Sequence, residues 1–169
     1  AWLDARHTVR VRIGEYPPYM FATPEPAGIA VDTLAVIGKR FGIEMKLLPP
    51  TVAWPDAVAD VKGGRRHYDV LPTFTPTPER EKEFAITDNY LSAPLVVFGR
   101  RDARFTNFDG LAGLTVAQEK GWVTTRKLQQ DYPQIKVLEV SGSMAALDAV
   151  ATGKADAYIG NLTTASYLV

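Results

Sequence analysis

Cysteine is absent from all 169 residues, which excludes disulfide staples and every zinc site built on thiolates. A surplus of one charge is missing too. Nineteen Lys and Arg balance nineteen Asp and Glu, and no block of five like charges occurs, so neither nucleic acid nor an anionic membrane is expected as the main partner. No apolar run approaches the roughly 20 residues that a bilayer crossing needs, and no secretory leader is recognisable. Phosphate loops, nucleophile elbows and zinc-binding helix motifs are lacking as well, and no cofactor or metal is expected. The first residue is Ala1 rather than methionine, and the chain reads as a segment of something longer. What remains is the composition of an ordinary globular protein, 46% apolar and 22% charged. It is large enough to bury a core as one domain or two small lobes.

Residues 9–13, VRVRI, alternate apolar and basic, as a strand with one buried face does. GEYPPYMF follows, where Gly14 and two prolines force a loop rich in aromatics. From Ile29 to Phe41 the residues Ala30, Val31, Leu34, Ile37, Gly38 and Phe41 recur at helical spacing, and Gly42 stops the helix. IEMKLLPP reads as a strand closed by Pro49 and Pro50. Residues 54–62 read as a helix with Trp54, Ala57, Val58 and Val61 on one side, and YDVLPTF as a short third strand. The later half repeats this βαβαβ order, with strands at 114–118, 135–140 and 156–160 and helices at 122–131 and 143–152.

The closing pieces of the two halves resemble each other, DAVADVKGGRRHYDVL against AALDAVATGKADAYIG. In both, an Ala/Val helix ends at glycine, basic residues follow, and an aspartate, Asp69 or Asp156, opens an apolar strand. Each aspartate is expected to hydrogen-bond backbone at its turn, and the parallel argues for two related units. Between them Ala93 to Phe98 is apolar without alternation, as expected of a strand buried on both faces. The expected division is a first lobe over 1–99 and a second over 100–169.

Open parallel sheets collect ligands beyond the carboxyl ends of their strands. Here those ends read GEYPPY, PPTVAW, PTFTPT, QEKGW and GNLTT, and they hold most of the aromatics, hydroxyls and loop prolines. The YPPY loop, the tryptophan helix ending in Gly-Gly before YD, the run TPTPEREKEFAITDNYLSAPLVV and the segment GKADAYIGN together resemble the bacterial extracellular solute-binding proteins of family 3. The resemblance covers nearly the whole chain, and TPER…F…T…Y is its most specific part. It implies an α/β, two-lobed Venus-flytrap fold, each lobe a βαβαβ-based sheet flanked by helices, with the ligand in a cleft between lobes. The lead-in AWLDAR and the closing IGNLTTASYLV are similar to periplasmic sensing modules fused to membrane-bound sensor kinases.

Thr77, Pro78 and Glu79 form a strong helix start: a hydroxyl cap, proline in the first turn and an acid near the positive end of the dipole. Arg80 stands inside that turn. On its residues alone it could be a solvated arginine pairing with Glu79 or Glu83. The resemblance implies instead that it grips a ligand carboxylate with two donors, a task suited to a planar, permanently charged guanidinium. The resemblance also implies hydroxyl or backbone contacts from Thr73 and Thr75, with Phe74 between them, and pocket walls from Tyr16 and Trp54. Trp54 could equally staple its helix to the sheet, and Tyr19 and Phe21 read as core.

Two positions depart from the family pattern. Amino-acid binders commonly carry an acid where this chain has Asn161. Trp122 and Val123 follow Gly121 where small hydroxyl residues usually open a helix N-terminus that can bind an anion. Both changes fit a less zwitterionic ligand, such as a carboxylate or aromatic acid, and they also fit a module that has lost ligand binding. The expected function is a periplasmic sensor module for a small carboxylate or amino acid, not an enzyme, within a membrane-anchored parent. A transport-associated binding protein is the alternative, and a dehydratase or peptidoglycan-enzyme relative a weaker one. His7 and His67 do not read as cleft residues, and Glu119 is the one cleft-edge acid without an evident structural task. The family module runs on past the point where this chain stops. The first lobe is therefore expected to lack its closing elements, leaving apolar surface that a second copy in a homodimer or a swapped segment could cover.

Overall fold

A computed structural model describes residues 7–64 and 67–169. The Trp2–Leu3 lead-in and the basic pair Arg65–Arg66 lie outside the described residues. The chain divides into two compact units, Ala1–Leu91 and Ser92–Val169.

In the first unit, strand β1 (His7–Arg12) pairs in parallel with β2 (Ile43–Leu48), His7 opposite Ile43 and Arg12 opposite Leu48. Helix α1 (Ile29–Phe41) connects them. It ends where expected, because Gly42 takes the left-handed conformation (φ 67°) and returns its N–H to the Gly38 carbonyl. Val11, Ile13, Met20 and Ala30 form the core, with Val31, Leu34, Met45 and Leu47 packed against it. Ile29, Val36, Ile37 and Phe41 of α1 stay exposed. Helices α2 (Trp54–Lys62) and α3 (Pro78–Glu81) follow.

The third strand expected at YDVLPTF is reduced to one parallel bridge, Val11 to Val70. Two features end the pairing: Pro72 has no N–H to donate, and Thr73 turns the backbone away at φ 58°. The bridge still places β1 in the middle, with β2 on one side and residues 69–70 on the other.

The second unit comprises β3 (Leu95–Gly99), a 3-10 turn (Asp109–Leu111), β4 (Thr115–Glu119), α4 (Val123–Asp131), β5 (Lys136–Val140), α5 (Ser143–Ala151), β6 (Ala157–Asn161) and α6 (Leu162–Leu168). Its sheet has the order β3-β6-β4-β5, with β4 parallel to both β5 and β6. The backbone pairing of β4 with β6 runs through Ala117 and Tyr158. One residue on, the buried Gln118 extends it with its side chain, donating Nε2 to the Ile159 carbonyl at 2.7 Å.

The stretch at 93–98 differs from expectation. β3 runs antiparallel to β6 at the sheet edge, and Leu95 is 53% exposed. Because its hydrogen bonds go to β6, the strand belongs to the second unit, and the division falls after Leu91 rather than after residue 99. An apolar run records burial tendency but not the partner strand.

The two aspartates behave alike. Asp69 accepts from the backbone N–H of Arg10 (2.9 Å) and returns its own N–H to the Arg10 carbonyl (2.8 Å). Asp156 accepts from Thr115 N–H (2.9 Å) and donates to the Thr115 carbonyl (2.8 Å). Each locks the central strand of its unit, so the repeat seen in the sequence is a repeat of structure.

Asp60 ties the end of α2 to the segment beyond it, accepting from the His67 and Tyr68 backbone N–H groups and lying 2.8 Å from His67 Nδ1. Burial alone would raise its pKa, but the His67 ring and the two N–H donors outweigh that and bring it to about 2. An unfolded Asp titrates near about 3.9. The folded group is therefore the stronger acid, and its stabilising effect is complete above about pH 4 and fades as pH falls toward about 2. Acid unfolding followed by circular dichroism should show this loss, and Asp60→Asn should flatten that part of the curve. An unchanged acid limb in the variant would remove Asp60 as its source.

Candidate functional site

Helix α3 begins as its sequence dictates. Thr77 Oγ1 accepts from the Arg80 N–H at 3.2 Å, and Pro78 occupies the first turn. The cap fixes where Arg80 leaves the backbone. Its side chain is 9% exposed and folds back over the preceding loop. There Nη1 donates to the Thr75 carbonyl at 2.8 Å and the guanidinium carbon lies 4.1 Å from the Phe74 ring centroid. Phe74 is wedged in turn, edge-on to Phe84 (4.9 Å between centroids) and tilted against Trp54 (6.1 Å). Thr75, Phe74, Trp54 and Arg80 are thus brought together within the first unit.

Thr73 opens the loop in the left-handed region, with Oγ1 donating to the Pro72 carbonyl at 2.6 Å. A β-branched residue at positive φ is costly, and such strain concentrates at ligand sites. Partial burial raises the pKa of the nearby Tyr90 phenol, with the Thr73 backbone acting the other way.

One residue at this site escaped the sequence reading. Arg12 ends β1 at 8% exposure. Its Nη2 reaches the Val52 carbonyl at 3.3 Å, its guanidinium carbon lies 5.2 Å from the Trp54 ring, and its Nε is buried without a hydrogen-bond partner. Arg10, two residues earlier on the same strand face, has Asp69 at 2.8 Å. No carboxylate among the described residues reaches Arg12. Burial pushes its guanidinium below the ordinary arginine value, with the Tyr68 phenol acting the other way. A desolvated ring face contributes about 2 kcal/mol, whereas burying an ion costs several kcal/mol, so the stack alone does not offset the burial. The signal was present in VRVRI. Alternating arginines suggest a solvated face, but β1 is the middle strand of a parallel sheet, and such strands are covered on both sides.

Tyr16, Asn161, Trp122 and Glu119 lie outside this group of contacts. Tyr16 is paired with Met20 by a backbone bridge, its ring 5.3 Å from that of Tyr19, and it packs on the Val11–Ile13 core. In the second unit Asn161 is buried at the start of α6, its Oδ1 accepting from the Thr164 N–H at 2.9 Å. Trp122 immediately precedes α4 and is half-buried. Glu119, read as lacking a structural task, has one: its Oε1 accepts from Tyr158 Oη (2.6 Å) and Ser143 Oγ (2.8 Å), a buried anchor for β6 and α5. Separately, a cavity of about 320 Å³ beside α2 is lined by Val52, Asp56, Ala59, Asp60, Gly63 and His67. It shares no lining residue with the Arg80 group. Among the described residues no cluster of three metal-ligating side chains occurs, and no helix is long and apolar enough to cross a membrane.

A family model for bacterial extracellular solute-binding proteins, family 3, matches residues 9–136. The chain is 28% identical over 172 residues to the virulence sensor protein BvgS of Bordetella pertussis, a match covering 99% of this chain and 14% of that protein. Similarity to the ABC transporter arginine-binding protein 1 of Escherichia coli is 25% over 149 residues, 86% of this chain and 59% of the other. Among solved structures, the P235GK mutant of ArgBP from T. maritima superposes with a TM-score of 0.82 at 27% identity, over 96% of this chain and 71% of that one. These relatives share one α/β architecture, that of the two-lobed Venus-flytrap binding proteins, and the present chain has it.

Proposed function

This chain belongs to the bacterial extracellular solute-binding proteins, family 3, and on that premise we propose that it is the ligand-binding module of a periplasmic sensor, taking a small carboxylate-bearing solute through Arg80. The observation that carries the reading is the state of Arg80. A permanently charged group is buried against the Phe74 ring, oriented by the Thr75 carbonyl, and set by a capped helix turn at the rim of a parallel sheet. A planar fork fixed in this way is preorganised for a carboxylate. Thr75 holds it, Thr73 opens the same loop, and Trp54 and Phe74 offer flat apolar walls for the body of the solute. In the second unit Asn161 and Trp122 remain candidates by the family resemblance alone, and neither carries a negative charge. The module would report occupancy to a membrane-bound signalling parent, as the near-complete match to a segment of a virulence sensor suggests.

A second reading is a transport-associated amino-acid-binding protein, favoured by the similarity to an ABC transporter arginine-binding protein. Both readings predict binding, so the first experiment is a thermal-shift screen of amino acids and small carboxylates. A ligand at about a hundred times its dissociation constant should add about 2.7 kcal/mol of stability. Acids without an amino group should stabilise at least as well as their α-amino counterparts. No shift from any carboxylate would overturn the proposal. A preference restricted to zwitterionic amino acids would favour the transport reading.

A further inference from the structure

Arg12 and Arg80 belong to one arrangement. From Arg12 the contacts run to the Trp54 ring (5.2 Å), from Trp54 to Phe74 (6.1 Å between centroids) and from Phe74 to the Arg80 guanidinium (4.1 Å). Two buried cations therefore end a short apolar wall made of two aromatic rings, all within the first unit. Each guanidinium donates to a backbone carbonyl, that of Val52 for Arg12 and that of Thr75 for Arg80. Position 14 bears directly on Arg12. A methyl built on Gly14 would lie 3.0 Å from Nη1 and meet no atom within 4 Å outside the Arg12 guanidinium and the residues next to Gly14 in the chain.

We propose that Arg12 is a second anion contact, so that the solute of this module carries two anionic groups, as a dicarboxylate does, one at Arg80 and one at Arg12, with its carbon chain along Trp54 and Phe74. This rests on the reading that Arg80 takes a carboxylate, and it names the ligand class more narrowly. A second carboxylate supplies what the fold does not give Arg12, a negative charge at the end of a buried cation with an unused Nε–H. Glycine at position 14 puts no side chain against Nη1. A monocarboxylate satisfies Arg80 alone and leaves Arg12 as it stands.

The test is calorimetric titration of the protein with malonate, succinate, glutarate and adipate, each against the monocarboxylate of equal length, with Arg12→Gln and Gly14→Ala variants. At least one dicarboxylate is expected to bind about tenfold or more tightly than its monocarboxylate, the scale of one added charge-assisted contact. Arg12→Gln should lower affinity for that dicarboxylate at least tenfold more than for the monocarboxylate. Gly14→Ala keeps the charge but fills the space beside Nη1. It should narrow the same gap, and it carries the test if the Arg12 variant does not fold. Equal binding of mono- and dicarboxylates by the wild type, or equal losses for both in the variants, would overturn the inference while leaving Arg80 as the grip. Binding of neither class would overturn the Arg80 reading and the inference with it.

Discussion

Replacing Arg80 with alanine is expected to lower affinity for the best carboxylate ligand by about a hundredfold or more. A charge-assisted contact contributes roughly 1.5–3 kcal/mol, and a two-pronged grip contains two of them inside a site where the partner carboxylate would otherwise be left desolvated. At about 1.4 kcal/mol per tenfold, two orders of magnitude is the conservative figure. Arg80→Lys should recover little of this, because an ammonium cannot match two oxygens in one plane. Thr77→Ala separates the charge from its positioning. It removes the hydroxyl that accepts from the Arg80 N–H, at a cost in stability of about 1 kcal/mol, and should weaken binding much less. Titration calorimetry gives the affinities, and melting by circular dichroism checks that each variant still folds. An Arg80→Ala protein that folds and binds as the wild type does would end the proposal that this residue holds the ligand.

Gly160→Ala should be the most damaging conservative change in the second unit. Gly160 and Tyr158 point to the same face of β6, and the tyrosine ring lies directly over the glycine, so that an added methyl collides with Cζ, Oη and Cε1 of Tyr158. The ring has nowhere to go. It is fully buried, stacked on Phe98 at 5.8 Å, and its hydroxyl is bound to the buried carboxylate of Glu119. Moving it combines an overpacking cost of roughly 1–3 kcal/mol with the cost of leaving a buried hydrogen-bonding group without its partner, roughly 1–3 kcal/mol. A loss of about 3 kcal/mol or more, some 10 °C in Tm, is expected in urea or thermal melts. Gly142→Ala is the control. That position has extended backbone at φ 176° and open space around it, so the change should stay within about 1 kcal/mol. Similar losses at the two sites would show that the Tyr158–Gly160 contact does not govern stability.

Much of this architecture can be read from the residues. Helix α1 and its stop at Gly42, the Thr77–Pro78 start beneath Arg80, and the paired strand-opening aspartates all depend on neighbours within a few positions, where sequence and geometry are tightly linked. What the sequence concealed depends on partners far along the chain. The segment at 70–74 has a strand's composition, but Pro72 and the left-handed Thr73 leave it a single bridge. The run at 95–99 shows apolarity without showing that β6 is its partner. Glu119 looked idle because Ser143 and Tyr158, which bind it, lie 24 and 39 positions away. Arg12 was hidden for the same reason: whether an alternating strand has a wet face is decided by what packs on both sides of it.

The lock made by Asp69 on Arg10, and by Asp156 on Thr115, has a consequence for how such a module can diverge. The lock closes two hydrogen bonds around one residue of the central strand, and a slip of one position would break both and turn Val11 or Val116 out of its core. Alignment of each sheet is thereby settled a few residues before its own rim, where Arg12 and Thr73 stand in the first unit and Asn161 in the second. Side chains beyond the lock can be exchanged without disturbing the strands that present them. New solute preferences can accordingly arise by substitution at the rim alone, with the scaffold inherited unchanged.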